Sequence, residues 1–177
     1  GLMGAAVTEI ARHYGLPVET SAGGSGHYHP DERTGCERAL NWSMATLSWP
    51  DLLVGPGQLG GSMFLSLEQL LVDVEVFRRI LRLSEGIDTS AKEWLDDELS
   101  AVGHGGNFLG RRSTREALRR GEVYMGDYDV HGTYEAWSAL GKPDLVSKLR
   151  EEIQGILKSH TPLPLGEDIE RELEAIE

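Results

Sequence analysis

Two short apolar runs, each followed by a glycine-rich loop, constrain the fold of this chain more than any other feature. The runs are residues 16–20 and 51–55, and the loops after them are residues 21–34 and 55–65. Each run is too short for a helix and too apolar to lie in water. This combination favours strands of a parallel sheet that is covered on both faces.

Segments with helical spacing of apolar residues separate the two runs. They predict helices over residues 5–14, 36–49 and 67–85. Ser66 and Gln69 predict a capping box at the start of the third helix. An alternation of helix, strand and loop is typical of a parallel α/β protein, in which functional residues lie in the loops at the carboxyl ends of the strands.

The chain after residue 88 changes character. Helices are predicted there over residues 89–102, 133–140, 144–157 and 167–176. We therefore predict two domains, with βα units in residues 1–88 and a helical region in residues 89–177. Two strands do not make a stable parallel sheet. Either a third strand lies within residues 121–131, or the two strands belong to a larger sheet.

Composition and charge exclude several classes of protein. The net charge of −12 argues against a nucleic-acid partner, because phosphate binding needs a basic surface. No apolar run is long enough to span a membrane, and no charged segment precedes an apolar signal region. We therefore predict a cytoplasmic protein that does not bind membranes. The single cysteine, Cys36, allows no internal disulfide and fits a reducing compartment.

The first loop concentrates polar and aromatic side chains, namely His27, Tyr28, His29, Asp31 and Glu32. Three interpretations remain open. The imidazoles and a carboxylate could bind a metal, although their spacing matches no known motif and we assign no metal ligand. The segment could be a polar surface loop in which Asp31 caps the next helix. It could also form the wall of a pocket for a cationic ligand, with Tyr28 as the π face.

The second loop, residues 55–65, contains Gln58 among glycines and lacks the lysine and the glycine spacing of nucleotide-binding loops. Its glycines would either let a planar ligand approach the backbone or form a tight strand-to-helix turn. Nearby, Cys36 could act as a nucleophile with His27 or His29. Its position in a helical pattern favours a small packed residue instead.

Residues 103–115 form a glycine-rich turn that becomes basic. Five arginines lie between residues 111 and 120. They could bind an anion or an acidic partner, or they could be a solvated face that pairs with acidic helices nearby. Ser113 or Thr114 is predicted to cap a short helix after the turn.

Several short stretches occur in an order that carries a family resemblance. They are Ala11-Arg12-His13-Tyr14-Gly15-Leu16-Pro17, Ser66-Leu67-Glu68-Gln69-Leu70-Leu71-Val72-Asp73, Gly106-Asn107-Phe108-Leu109-Gly110, Ser113-Thr114-Arg115 and Tyr134-Glu135-Ala136-Trp137. Together they resemble the C-terminal part of the trimethylamine methyltransferase family, and the resemblance covers nearly all 177 residues.

The resemblance implies the C-terminal portion of a (β/α)8 TIM-type barrel with a C-terminal helical extension. It also implies an enzyme of methylamine metabolism, related to methanogenesis. Such an enzyme moves a methyl group from a methylated amine to the Co(I) of a separate corrinoid protein. The chain itself would then bind no cofactor, and the corrinoid (cobalamin) would be carried by its partner.

Founding members of the family carry pyrrolysine near the loop after Thr20. The first 91 residues of this chain contain no lysine and no unusual residue. The chain therefore resembles a member without pyrrolysine, such as the glycine betaine methyltransferases, and the expected substrate is a quaternary or tertiary amine.

The resemblance also suggests where substrate and partner bind, although it assigns no catalytic residue. The residues expected to bind substrate are His27, Tyr28, His29, Asp31, Glu32 and Gln58. The residues expected to contact the corrinoid protein are Asn107, Arg111 and Arg112. The alternative is a non-catalytic fragment or assembly domain that dimerises through exposed strand edges. A homo-oligomer is expected in either case.

Overall fold

The computed structural model describes residues 1–176. The chain divides after Pro143 into two compact units, residues 1–143 and the residues from Asp144 onward. The first unit contains α1 (Leu2–His13), β1 (Glu19–Ser21), α2 (Glu32–Leu47), β2 (Leu52–Val54), β3 (Gln58–Leu59), β4 (Phe64–Leu65), α3 (Leu67–Ser84), a 3-10 turn (Ala91–Glu93), α4 (Asp96–Val102), α5 (Arg112–Arg119) and α6 (Tyr134–Ala139). The second unit contains α7 (Leu145–Ser159) and α8 (Glu167–Glu174).

Strands β1 and β2 form a parallel pair, which confirms the prediction from the two apolar runs. Glu19 pairs with Leu52 and Ser21 with Val54, so both strands end at the same edge. Residues 121–131, all of them described, form turns and contain no strand. The alternative of a third strand in that segment is therefore wrong, and the (β/α)8 barrel stays a prediction.

The loop after β2 contains a hairpin that the glycine pattern does not reveal. Strands β3 and β4 are antiparallel, and the turn between them passes through Gly60, Gly61 and Ser62 with φ values of 59°, 66° and 70°. Glycine adopts this left-handed region without a steric cost. Leu59 is buried, so the hairpin is anchored in the interior.

Helix α2 begins at Glu32, four residues before the predicted start at Cys36, because Asp31 caps it. The Asp31 carboxylate accepts hydrogen bonds from the backbone N–H groups of Arg33 and Thr34, each at 3.1 Å. A carboxylate in this position satisfies donors that the helix leaves unpaired. The interpretation of Asp31 as a helix cap is confirmed.

Helix α3 has half of the predicted capping box. The Ser66 hydroxyl accepts a hydrogen bond from the Gln69 backbone N–H at 3.2 Å. The Gln69 side chain does not reach back to Ser66, because its amide donates to Asp73 at 2.8 Å. The residue that would complete the cap is thus used in the interior.

The core of the first unit lies between α2, α3 and the parallel strands. Trp42 and Ala45 of α2 pack with Ile80 of α3 and with Ala22, which follows β1. Trp42 meets Phe77 edge to face, with ring centroids 5.8 Å apart. Leu53 of β2 packs against these side chains, whereas Leu40, Met44 and Leu47 of α2 are exposed.

The predicted helix over residues 89–102 is interrupted. It consists of the 3-10 turn and α4, and Leu95 between them adopts a left-handed φ of 55°. The Trp94 indole donates to the Thr89 carbonyl at 2.9 Å, which closes the turn. The helical spacing predicts that Trp94, Leu95 and Leu99 face inward, but all three are exposed in the described chain, so this prediction is wrong.

The predicted cap of the short basic helix is also wrong. Helix α5 follows Arg111, and neither Ser113 nor Thr114 caps it. The Thr114 hydroxyl instead donates to the Phe108 carbonyl at 2.7 Å. Thr114 thus stabilises the turn before α5 and does not cap the N-terminus of that helix.

The second unit follows the sequence prediction closely in its helices. Asp144 caps α7 through the Ser147 backbone N–H at 2.9 Å. The spacing places five apolar residues of α7 on one side; of these, Leu149 and Ile153 are buried, and Leu145, Ile156 and Leu157 are exposed. The predicted division into two domains, with a boundary after residue 88, stays a prediction.

The chain segments that contain Gly23 and Gly55 lie very close to each other. A Cβ atom at Gly23 would lie 1.9 Å from the carbonyl oxygen of Gly55, which is backbone and has little freedom to move. We expect Gly23→Ala to lower the free energy of unfolding by roughly 1–3 kcal/mol, as overpacking does. Thermal or urea unfolding monitored by circular dichroism measures this loss.

The matched control is Gly24→Ala, whose Cβ would lie at an ordinary 3.6 Å from the Ser62 hydroxyl. It should unfold close to wild type. Equal stabilities for Gly23→Ala and the wild type would contradict the close approach of these two segments.

Candidate functional site

The two glycine-rich loops lie side by side and are joined through their backbones. The N–H of Gly60 donates to the His27 carbonyl at 2.8 Å, and the N–H of Gly61 donates to the Ser25 carbonyl at 2.7 Å. Both loops follow the carboxyl ends of parallel strands, where α/β proteins place ligands. The candidate site is therefore this pair of loops.

A buried ion pair holds the second loop in place. Arg38 of α2 and Asp73 of α3 are fully buried, and Arg38 Nη1 lies 2.9 Å from Asp73 Oδ2. The same guanidinium donates to the carbonyls of Gly55 and Gln58. Asp73 accepts a further hydrogen bond from the Gly57 N–H at 2.6 Å. Two helices thus fix three backbone groups of one loop.

Burial disfavours the charged forms of both Arg38 and Asp73. It raises the pKa of the Asp73 carboxyl, although hydrogen bonds from Gly57 and Gln69 and the charge of Arg38 act in the opposite direction. Burial also lowers the pKa of the Arg38 guanidinium against the attraction of Asp73. All three groups that Asp73 contacts are donors, so the ionised carboxylate satisfies them.

Sequence patterns did not indicate Arg38 or Asp73 as site residues. A charged residue among apolar neighbours is the signal that could have indicated these two positions. Asp73 lies between Val72 and Val74, and Arg38 is four residues before Trp42 on the face of α2 that enters the core. A charge in such a place is rarely buried without a partner.

Two aromatic rings lie where the loops meet. Tyr28 stacks on Phe64 with centroids 6.3 Å apart and planes 16° from parallel. A Cβ at Gly60 would lie 2.6 Å from Phe64 and 3.2 Å from Tyr28, so the backbone passes close to both rings. Tyr28 remains 75% exposed. Its ring is therefore available as a surface for a ligand.

The remaining predicted residues of the first loop have different roles. Hydrogen bonds from the Arg33 side chain and the Thr34 backbone lower the pKa of Asp31 to about 2. The His29 carbonyl accepts from the Thr34 hydroxyl at 2.5 Å. Glu32 is exposed in the first turn of α2. These contacts fasten the loop to α2, and substrate binding by these residues stays a prediction.

Gln58 contributes mainly through its backbone. Its carbonyl accepts from Arg38, and its side-chain oxygen accepts from the Ser62 hydroxyl at 2.9 Å. Cys36 is exposed on α2, so its interpretation as a packed residue is wrong. Among residues 1–176, no group of three or more His, Cys, Asp or Glu side chains is arranged to hold a metal ion.

The residues expected to contact a partner have contacts within the chain. Arg111 pairs with Glu98, and this hydrogen bond raises the pKa of the Arg111 guanidinium. Arg112 pairs with Glu116 at 2.7 Å, with the same effect on its own pKa. Asn107 accepts from the backbone of Leu109. The arginines thus pair with nearby acids, and partner contact by these residues stays a prediction.

Two cavities lie away from the glycine loops. One, of about 400 Å³, is lined mainly by apolar side chains of α4, α5 and the segments beside them, including Trp94, Phe108 and Leu118. The other, of about 360 Å³, has a charged rim that includes Glu93 and Arg120, which pair at 3.0 Å.

No helix in the described part of the chain is long and apolar enough to cross a membrane.

Comparison with known proteins gives one consistent result. A family described as trimethylamine methyltransferase (MTTB) matches residues 2–176. The trimethylamine methyltransferase of Methanosarcina barkeri (strain Fusaro / DSM 804) is 31% identical over 176 residues. The trimethylamine methyltransferase of Desulfitobacterium hafniense (strain DSM 10664 / DCB-2) is 29% identical over 177 residues. The glycine betaine methyltransferase of Desulfitobacterium hafniense (strain Y51) is 27% identical over 173 residues.

These matches cover unequal shares of the two chains. The first two cover 99% of this chain, and the third covers 96%, whereas each covers 35% of the relative. The chain thus spans about a third of the length of these relatives and corresponds to their C-terminal part.

The buried ion pair can be tested by removing one charge. Asp73→Asn leaves the Arg38 guanidinium buried without its counter-ion. We expect it to lower the free energy of unfolding by roughly 3–5 kcal/mol, which is the usual cost of breaking a buried pair. Urea unfolding of the variant measures the change.

Glu9→Gln is the control, because it removes the carboxylate of an exposed arginine pair, that of Arg12 and Glu9. Exposed pairs contribute little, so its unfolding midpoint should stay close to that of the wild type. Similar losses in the two variants would contradict a special role for Asp73.

Proposed function

Because the chain belongs to the trimethylamine methyltransferase family, we propose that it acts in the transfer of a methyl group from a methylated amine to the Co(I) of a corrinoid protein. The observation that carries this proposal is the family match over residues 2–176. The relatives named above are methyltransferases for trimethylamine and glycine betaine, which supports a methylated amine as the donor.

We propose that the described region is part of a (β/α)8 barrel. The parallel pair of β1 and β2, with α2 as the crossover between them, is the repeating unit of such a barrel. The joined glycine loops follow the carboxyl ends of these strands, where barrel enzymes bind substrates. They would then form one side of the substrate pocket.

The substrate that best fits a chain without pyrrolysine is a quaternary amine, with a tertiary amine as the second choice. A quaternary ammonium needs no acid on its nitrogen, because that nitrogen already carries a positive charge. The methyl carbon leaves nitrogen, the electron pair of the broken C–N bond stays on the amine, and the electron pair of Co(I) forms the new bond. The corrinoid is therefore the acceptor substrate and belongs to the partner.

The protein's contribution to such a reaction is positioning. Holding donor and acceptor in line replaces a rare collision by a prepared geometry. The exposed face of Tyr28 can contact a methylated ammonium through its π electrons. The Arg38–Asp73 pair keeps the second loop against the first, so that the wall of the pocket is fixed before the substrate arrives.

The proposal is tested by the spectrum of the corrinoid. The chain, alone and combined with the preceding part of a longer relative, is incubated with Co(I) cobalamin or a corrinoid protein and with glycine betaine, tetramethylammonium or trimethylamine. We expect methylcobalamin to form from at least one amine, and faster than in the same mixture with heat-denatured chain. Absorption spectroscopy follows the change.

Failure to form methylcobalamin from any of these amines, with the preceding part present, would contradict the proposal. Sedimentation then tests the alternative, which is a domain that associates without catalysing methyl transfer. A stable dimer without methyl transfer would support a non-catalytic assembly domain that associates through its exposed strand edges.

A further inference from the structure

One carboxylate beside the joined loops was not among the predicted substrate-binding residues. Glu37 lies on α2, and its Oε2 atom accepts a hydrogen bond from the Ser25 hydroxyl at 2.6 Å. The same oxygen is 3.9 Å from Nε2 of His27. The side chain of Glu37 is 38% exposed, so it borders both the loop and the solvent.

Two other carboxylates beside the loops occur in compensated pairs. Asp31 pairs with Arg33 at 2.5 Å, and Arg38 pairs with Asp73 at 2.9 Å. Within residues 1–176, Glu37 has an ion pair with His27 alone, and His27 carries charge only when protonated. Glu37 is therefore a carboxylate at the first loop with no arginine or lysine partner among the described residues.

The Glu37 carboxylate is held in a defined position. Ser25 is buried, with 2% of its surface exposed. Its hydroxyl donates to Glu37 and accepts from the His27 N–H at 3.2 Å, while its carbonyl accepts from Gly61 of the second loop. A carboxylate oriented by a buried residue loses little freedom when it binds a ligand, which favours affinity.

From this geometry we propose that Glu37 is the specificity-determining carboxylate for the ammonium group of the substrate, with Tyr28 as the aromatic contact. The inference rests on the proposed function, which supplies the ligand class, a methylated ammonium. Methyl groups shield the nitrogen from hydrogen bonding, so recognition depends on charge and on an aromatic face. Glu37 of α2 provides the charge, and Tyr28 of the first loop provides the aromatic face.

The test compares a cation with a neutral molecule of the same shape. Choline and 3,3-dimethyl-1-butanol differ in the charged nitrogen, and calorimetric titration of the 177-residue chain measures binding of each. Glu37→Gln keeps the size of the side chain and an oxygen that accepts from Ser25. We expect it to weaken choline binding about tenfold and to change binding of the neutral alcohol by less than about twofold.

Two further variants make the result specific. Glu85→Gln removes an equal charge from an exposed carboxylate whose ion pair with Arg82 is long, 3.8 Å, and it should bind choline as the wild type does. Glu37→Asp keeps the charge and should retain most of the preference for choline over the alcohol. It also keeps the inference testable where the glutamine variant does not fold, which circular dichroism shows.

Several outcomes would overturn the inference. They are no binding of choline by the wild-type chain, equal loss of choline and alcohol binding in Glu37→Gln, an unchanged affinity in that variant, and loss of the choline preference in Glu37→Asp. The corrinoid assay is separate from these measurements. Choline binding that depends on Glu37 without methyl transfer would refute the proposed function alone, whereas methyl transfer with an unaffected Glu37→Gln would refute this inference alone.

Discussion

The buried ion pair of Arg38 and Asp73 is the interaction on which the candidate site depends. It joins α2 to α3 and binds three backbone groups of the second glycine loop, those of Gly55, Gly57 and Gln58. An apolar pair could fill the same space, but it would leave these backbone groups unsatisfied in the interior, which is costly. The charges are therefore retained although burial disfavours them.

The pair also affects the electrostatics of the loops. Because Asp73 neutralises Arg38, the positive charge next to Glu37 along α2 is compensated within the core. The Asp31 carboxylate likewise has partners, because it caps α2 and forms an ion pair with Arg33. Glu37, by contrast, has no arginine or lysine partner among the described residues. The pair that holds the second loop thus leaves the Glu37 carboxylate at the first loop without a competing arginine.

Much of the first unit could be predicted from the sequence, because the periodicity of apolar residues is local. The parallel strands, α2, α3 and the Asp31 cap follow from that periodicity or from single residues, and the match over residues 2–176 confirms the family resemblance. The Arg38–Asp73 pair joins residues 35 positions apart, and no local pattern indicates such a contact. Leu95 interrupts a predicted helix through backbone geometry that its apolar side chain does not reveal.

The central claim is that the two loops form one rigid unit through the buried pair. Native-state hydrogen exchange tests it most directly at the amides of Gly57, which donates to Asp73, and of Gly60 and Gly61, which donate to the first loop. We expect these three amides to be protected in the wild type and to lose protection together in Arg38→Met. Free exchange of the Gly57 amide in the wild type, or protection of all three in the variant, would contradict the account.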